Sequence, residues 1–70
     1  MGLVGLQKDD EDGKTVFVNA VDISWVEEHP QSTEDNPTTA VIFKGGNKRL
    51  SVRGPVDSVV KKVNTAMRNL

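Results

Sequence analysis

The chain opens with a short apolar run, Leu3-Val4-Gly5-Leu6, cut off by the acidic cluster Asp9-Asp10-Glu11-Asp12 closing on Gly13. An Asp-Gly close favours a tight turn, because glycine accepts a positive φ and the carboxylates bond nearby N–H groups. The pattern predicts a strand, a hairpin turn and a second strand over residues 14–19, where Val16, Phe17 and Val18 suit a pleated, half-buried surface. Asn19-Ala20-Val21-Asp22 predicts a bend. Residues 23–28 predict a third strand in which Ile23, Trp25 and Val26 break strict alternation, so a bulge or bend is expected near Ser24.

Residues 29–37 contain two prolines and no apolar side chain of the core-forming kind, which predicts an exposed and mobile loop. Residues 38–43 and 49–53 are β-type runs flanking Gly45-Gly46-Asn47, the strongest hairpin signal in the chain. In the second of these runs Leu50 and Val52 share one face, with Ser51 and Arg53 on the other. After Gly54, Pro55 is placed to occupy the first helical position, where its missing N–H has no helical partner to lose. Val56, Val59, Val60, Val63, Met67 and Leu70 then recur at helical spacing, with Lys61, Lys62, Asn64, Thr65 and Arg68 left for solvent. The order of elements predicts an α+β, mainly β, domain over residues 1–70: a small bent antiparallel sheet of four to five strands crossed on one face by a C-terminal amphipathic helix.

Length limits what such a domain can do. A chain of 70 residues buries only about 60% of its unfolded surface, which leaves one thin core and little room for a catalytic cavity. Its hydrophobic content of 36% is enough to fold. With no cysteine there is neither a disulfide staple nor a thiolate ligand. The apolar start lacks the basic flank of a signal peptide, Leu6 stands where a myristoylation pattern needs Ser or Thr, and no run approaches a membrane span. These features predict a cytoplasmic, non-membrane protein.

Residues that carry chemistry are sparse. His29 is the single histidine and stands beside Pro30 in a polar loop, without partners for a zinc site. Asp9 to Asp12 supply carboxylates, but neither the ligand spacing nor the closing glutamate of a calcium loop follows. Gly45-Gly46 lacks the Lys-Ser/Thr of a phosphate loop and precedes a strand rather than a helix. No serine sits in a nucleophile elbow. The sequence therefore predicts a non-enzymatic domain with no cofactor and no metal.

Charge is the unusual feature. Residues 1–36 carry two lysines against nine carboxylates, net −7, and residues 37–70 carry seven cations against Asp57 alone, net +6. Two arrangements satisfy this. The molecule is bipolar, with Lys44, Lys48, Arg49 and Arg53 forming a basic face for nucleic acid or an acidic protein; or acidic early strands lie beside basic late ones and neutralise them. Trp25, the single tryptophan, is followed by Glu27 and Glu28. If Val26 points inward, Trp25 points outward and offers an anchor for a protein partner; the alternative is an indole that covers one end of the sheet. An unpaired edge strand also leaves pairing with a second copy open.

Phe17-Val18-Asn19-Ala20, Ile23, Val26-Glu27-Glu28, Pro30, Thr38-Thr39 with Val41 and Phe43, Gly46, Val52 and the helix valines resemble the FlbD/SwrD family of small bacterial proteins associated with flagellar and swarming motility. The resemblance covers residues 14–63 and implies a non-catalytic accessory role with no catalytic residue to transfer. The segment 29–37 is longer than the family's tight turn, and Gly54-Pro55 replaces its polar helix cap. Asp22-Ile23-Ser24-Trp25-Val26-Glu27 and Val52-Arg53-Gly54 also resemble part of a LytTR DNA-binding domain. Two functions follow as expectations: a regulatory adaptor that acts by protein contact, with Trp25, Glu27 and Glu28 at its site; or a phage-type transcription regulator that meets RNA polymerase or DNA through Lys44, Lys48, Arg49 and Arg53.

Overall fold

A computed structural model describes residues 2–45 and 48–68. Five strands and one helix follow in order: β1 (Leu3–Gln7), β2 (Thr15–Asn19), a single 3-10 turn at Ala20–Asp22, β3 (Ile23–Glu28), β4 (Thr38–Phe43), β5 (Arg49–Arg53) and α1 (Val56–Arg68). The mainly β, α+β class is as the sequence pattern predicts. Gly46, Asn47 and Leu70, part of the predicted hairpin tip and of the helix stripe, lie outside the described residues.

The strands divide into an antiparallel hairpin, β1–β2, and an antiparallel meander in the order β3–β4–β5. A bridge between Lys8 and Val52 joins the two. There the Asp9 N–H donates to the Ser51 carbonyl at 2.9 Å, so the end of β1 continues onto the edge of β5. The strands thus run β2, β1, β5, β4, β3 around a curved wall whose two outer strands are not paired to each other.

The core explains the curvature. Val4 and Leu6 from β1, Val41 from β4 and Val52 from β5 are buried together with Ala20, Val59 and Ala66. Alternation puts Val26, Val41 and Leu50 in one inward row, and the register shift between Ile23 and Trp25 keeps both Ile23 and Val26 on that side. The bulge falls where the broken alternation of the sequence requires it.

The helix was expected on one face of one sheet; it instead packs against β1, β3, β4 and the 3-10 turn, bridging hairpin and meander. Its valine stripe thereby reaches both halves of the core, β1 on one side and β3 and β4 on the other. Ala66, absent from the predicted stripe, is buried. Met67, counted within it, is 44% exposed. A small residue at 66 lets the helix lie close to β1, and that roll turns Met67 outward.

Pro55 corrects a second expectation. The helix starts at Val56, and the Pro55 carbonyl accepts from the Ser58 and Val59 N–H groups at 3.1 and 3.2 Å, so proline caps the helix rather than occupying its first turn. Gly54, at φ +112°, makes the sharp entry. Thr39 is fully buried, and its hydroxyl donates to the Gly54 carbonyl at 2.9 Å, tying β4 to that entry.

Segment 29–37 is exposed over most of its length, as expected, but it is internally bonded. The Ser32 hydroxyl accepts from Thr38 N–H at 2.9 Å, Thr33 and Asn36 exchange backbone bonds, and His29 Nδ1 accepts from Gln31 N–H at 3.1 Å.

Leu6 is among the largest fully buried side chains. Leu6→Ala is expected to cost about 2–5 kcal/mol, a large part of the total stability of so small a domain. Urea denaturation followed by far-UV circular dichroism measures the loss; a midpoint equal to that of the wild type would contradict a place for Leu6 in the core.

Candidate protein-interaction site

Register determines which side chains leave the core. Trp25, Ile42 and Arg49 form one cross-strand row on the outer face, followed by Glu27, Ala40 and Ser51. Ile42 is only 4% exposed, whereas Trp25 is 51% exposed. Register sets Trp25 and Arg49 on either side of the buried Ile42. About half of the Trp25 side chain faces solvent. Its Nε1–H donates to Glu27 Oε1 across a long 3.4 Å.

Beside Trp25 runs a groove between β3 and the helix, lined by Ala20, Ile23, Val26, Val60, Val63 and Met67. It exists because β3 is an edge strand and because Met67 is rolled outward. Glu27 and Glu28 are exposed at one end of β3, and Asp22 is exposed at the other. The slot is mostly apolar, with Ser24 and Asn64 the polar side chains in its lining.

The basic residues split into two groups. Lys44 and Lys48 border one hollow together with Asn19, Asp22 and Phe43, and Arg49 follows at the start of β5. Among the described residues none of these three cations is in an ion pair. Arg53 lies at the other end of β5. Its Nη2 donates to the Asp10 carbonyl at 2.7 Å, its Nε lies 3.9 Å from Asp9 Oδ1, and its guanidinium covers Gly13. Arg53 thus clamps the acidic hairpin turn onto the meander. Neutralisation between early acids and late bases occurs at this turn, while Lys44, Lys48 and Arg49 are in no ion pair among the described residues.

The turn is built around Asp10. Its carboxylate accepts from Gly13 N–H at 2.8 Å and lies 3.4 Å from Lys8 Nζ. The Gly13 N–H, with a smaller contribution from Lys8, holds the carboxyl below its ordinary value of 3.8. Gly13 has φ +58°, and a side chain there would meet the Arg53 guanidinium at 2.8 Å.

Phe17 was not singled out from sequence. It is 69% exposed on the outer face of the hairpin, lying over Gly5, where a Cβ would come within 2.9 Å of the ring. The run Thr15-Val16-Phe17-Val18-Asn19 alternates strictly, which was the signal that Phe17 and the two valines face opposite ways. Among the described residues no group of three His, Asp or Glu side chains is placed to hold a metal ion, and no helix is long and apolar enough to cross a membrane.

Comparison with protein-family models, with curated proteins and with solved structures yields no match. The family resemblance rests on the residues quoted for it.

Gly13→Ala is expected to destabilise by about 1–2 kcal/mol, the cost of a left-handed backbone with a side chain, and Gly13→Asn by less. Thermal denaturation of both variants checks the order; equal loss would mean that contact with Arg53, not backbone strain, dominates. Asp10 also sets a pH dependence. Its folded pKa is depressed, so its stabilising contribution is present above the ordinary value and is lost as pH falls through the lower folded value. Melting curves between pH 6 and about 2.5 should show a smaller acid-side decline for Asp10→Asn than for the wild type.

Proposed function

We propose that this protein is a small cytoplasmic adaptor or regulator without catalytic activity, and that it acts by binding another protein through Trp25 and the groove between β3 and α1. The observation that carries this reading is the half-exposed indole at the mouth of an apolar groove on an edge strand. Tryptophan is prominent among residues that dominate binding energy, because it buries a large rigid surface at little entropic cost. Glu27 and Glu28, exposed farther along β3, favour a partner segment that follows an apolar stretch with basic residues. The resemblance of Asn19-Ala20 and Glu27-Glu28 with Pro30 to FlbD/SwrD proteins supports an accessory role of the same kind.

A second reading, contact with RNA polymerase or DNA, is favoured by the unpaired Lys44, Lys48 and Arg49. It no longer includes Arg53, whose guanidinium holds the hairpin.

Because Trp25 is the single tryptophan, its fluorescence reports directly on the site. A partner recovered from a nuclease-treated lysate and then purified is expected to shift Trp25 emission to the blue. Trp25→Ala should weaken that partner by about 2 kcal/mol or more, roughly thirtyfold, with the fold retained. Full affinity in Trp25→Ala, combined with loss of binding when Lys48 and Arg49 are changed to Glu, would replace the first reading by the second. DNA titrated over a salt series then separates nucleic acid from polymerase, because phosphate contacts weaken steeply with salt.

A further inference from the structure

We propose that β2 is a self-association edge, on which a second copy of this chain adds its own β2 antiparallel, making a continuous four-stranded sheet β1–β2–β2–β1 across a two-fold axis. The hydrogen-bond pattern of the hairpin leads to this. Lys8 N–H donates to the Lys14 carbonyl at 2.9 Å and Ala20 N–H to the Gly2 carbonyl at 2.7 Å, marking bonded pairs at the two ends of the ladder. Bonded and non-bonded pairs alternate in an antiparallel ladder, so Val16 and Val18 also turn their backbone groups toward β1. Thr15, Phe17 and Asn19 therefore turn theirs to the free edge. No described strand or helix is paired to that side.

This edge is complementary to itself. A two-fold axis at Phe17 sets Phe17 opposite Phe17, Thr15 opposite Asn19 and Asn19 opposite Thr15. The outward N–H and C=O groups then face one another across the axis, with the Asn19 carbonyl, which already opens the 3-10 turn, as a shared acceptor. The same register places Val16 beside Val18 of the second copy on the inner side and the two exposed phenyl rings together on the outer side, pairings that favour a sheet. No residue of β2 is charged, so the two-fold brings no like charges face to face within the strand.

Comparison with the other edge argues the same way. Proteins blunt exposed edges with charge, bulges or proline. β3 has a bulge at Ser24 and two exposed carboxylates, Glu27 and Glu28. β2 has regular register and none of these devices, and it displays the most exposed large apolar side chain among those described. The occupant that fits a neutral, self-complementary edge is another copy of the same strand. This inference is independent of the Trp25 site, which lies on β3.

Sedimentation equilibrium of the full chain from about 1 µM to about 1 mM tests it, with two variants beside the wild type. Thr15→Pro removes an outward N–H, at the first position of an edge strand where proline is tolerated. Phe17→Lys sets like charges across the axis at a solvent-exposed position. The wild type is expected to show a monomer–dimer equilibrium, and each variant to weaken it at least tenfold with unchanged circular dichroism; Trp25→Ala should dimerise like the wild type. A wild type that stays monomeric throughout, or a dimer that survives both variants, would overturn the proposal.

Discussion

Two small sheets become one domain through the short junction where β1 runs onto β5. The Lys8–Val52 bridge and the Asp9–Ser51 bond are its backbone part. Arg53, reaching back to Asp9 and Asp10, is its side-chain part. The β1–β2 hairpin alone would not be stable, since a two-stranded hairpin in water is marginal at best. Joined, the two sheets curve around Val4, Leu6, Val41 and Val52, and the helix needs only to span the remaining opening. The acidic turn, which as a sequence suggests a ligand site, is here part of a structural clamp.

That arrangement also decides where the surface is available. Joining β1 to β5 leaves β2 and β3 as edges, one at each end of the strand order. β3 is bulged and acidic and stands beside an apolar groove, so it suits a side-chain-led contact with a different protein. β2 is regular and neutral and suits backbone pairing with itself. The two surfaces differ in chemistry because the residues that blunt one edge are absent from the other.

Much of this was legible in the sequence where local chemistry governs. The Asp-Gly turn, the bulge that Ile23, Trp25 and Val26 demand, and the valine stripe of the helix each follow from periodicity or turn preference. What was not legible depends on contacts distant in sequence. Nothing near Arg53 signals that it will meet Asp10, since the pair becomes adjacent only when β1 docks on β5. The division into two sheets has the same origin, because alternation fixes the face of a strand but not its neighbour. Met67 and Ala66 exchange roles for a related reason: the roll of a helix is set by what it packs against. Trp25 was read from the sequence as either an outward anchor or a cover for the sheet; register sets it opposite Ile42 on the outer face, about half exposed.

The central claim is that the junction makes hairpin and meander one cooperative unit. Native-state amide hydrogen exchange followed by NMR tests it most directly at the Asp9 amide, whose hydrogen bond to Ser51 crosses the junction. Asp9 is expected to exchange only through global unfolding, with the same free energy as the buried Val41 amide in the meander. If Asp9, Val16 and Val18 exchange together at a much lower free energy than Val41, the hairpin opens on its own and the two sheets are not one unit.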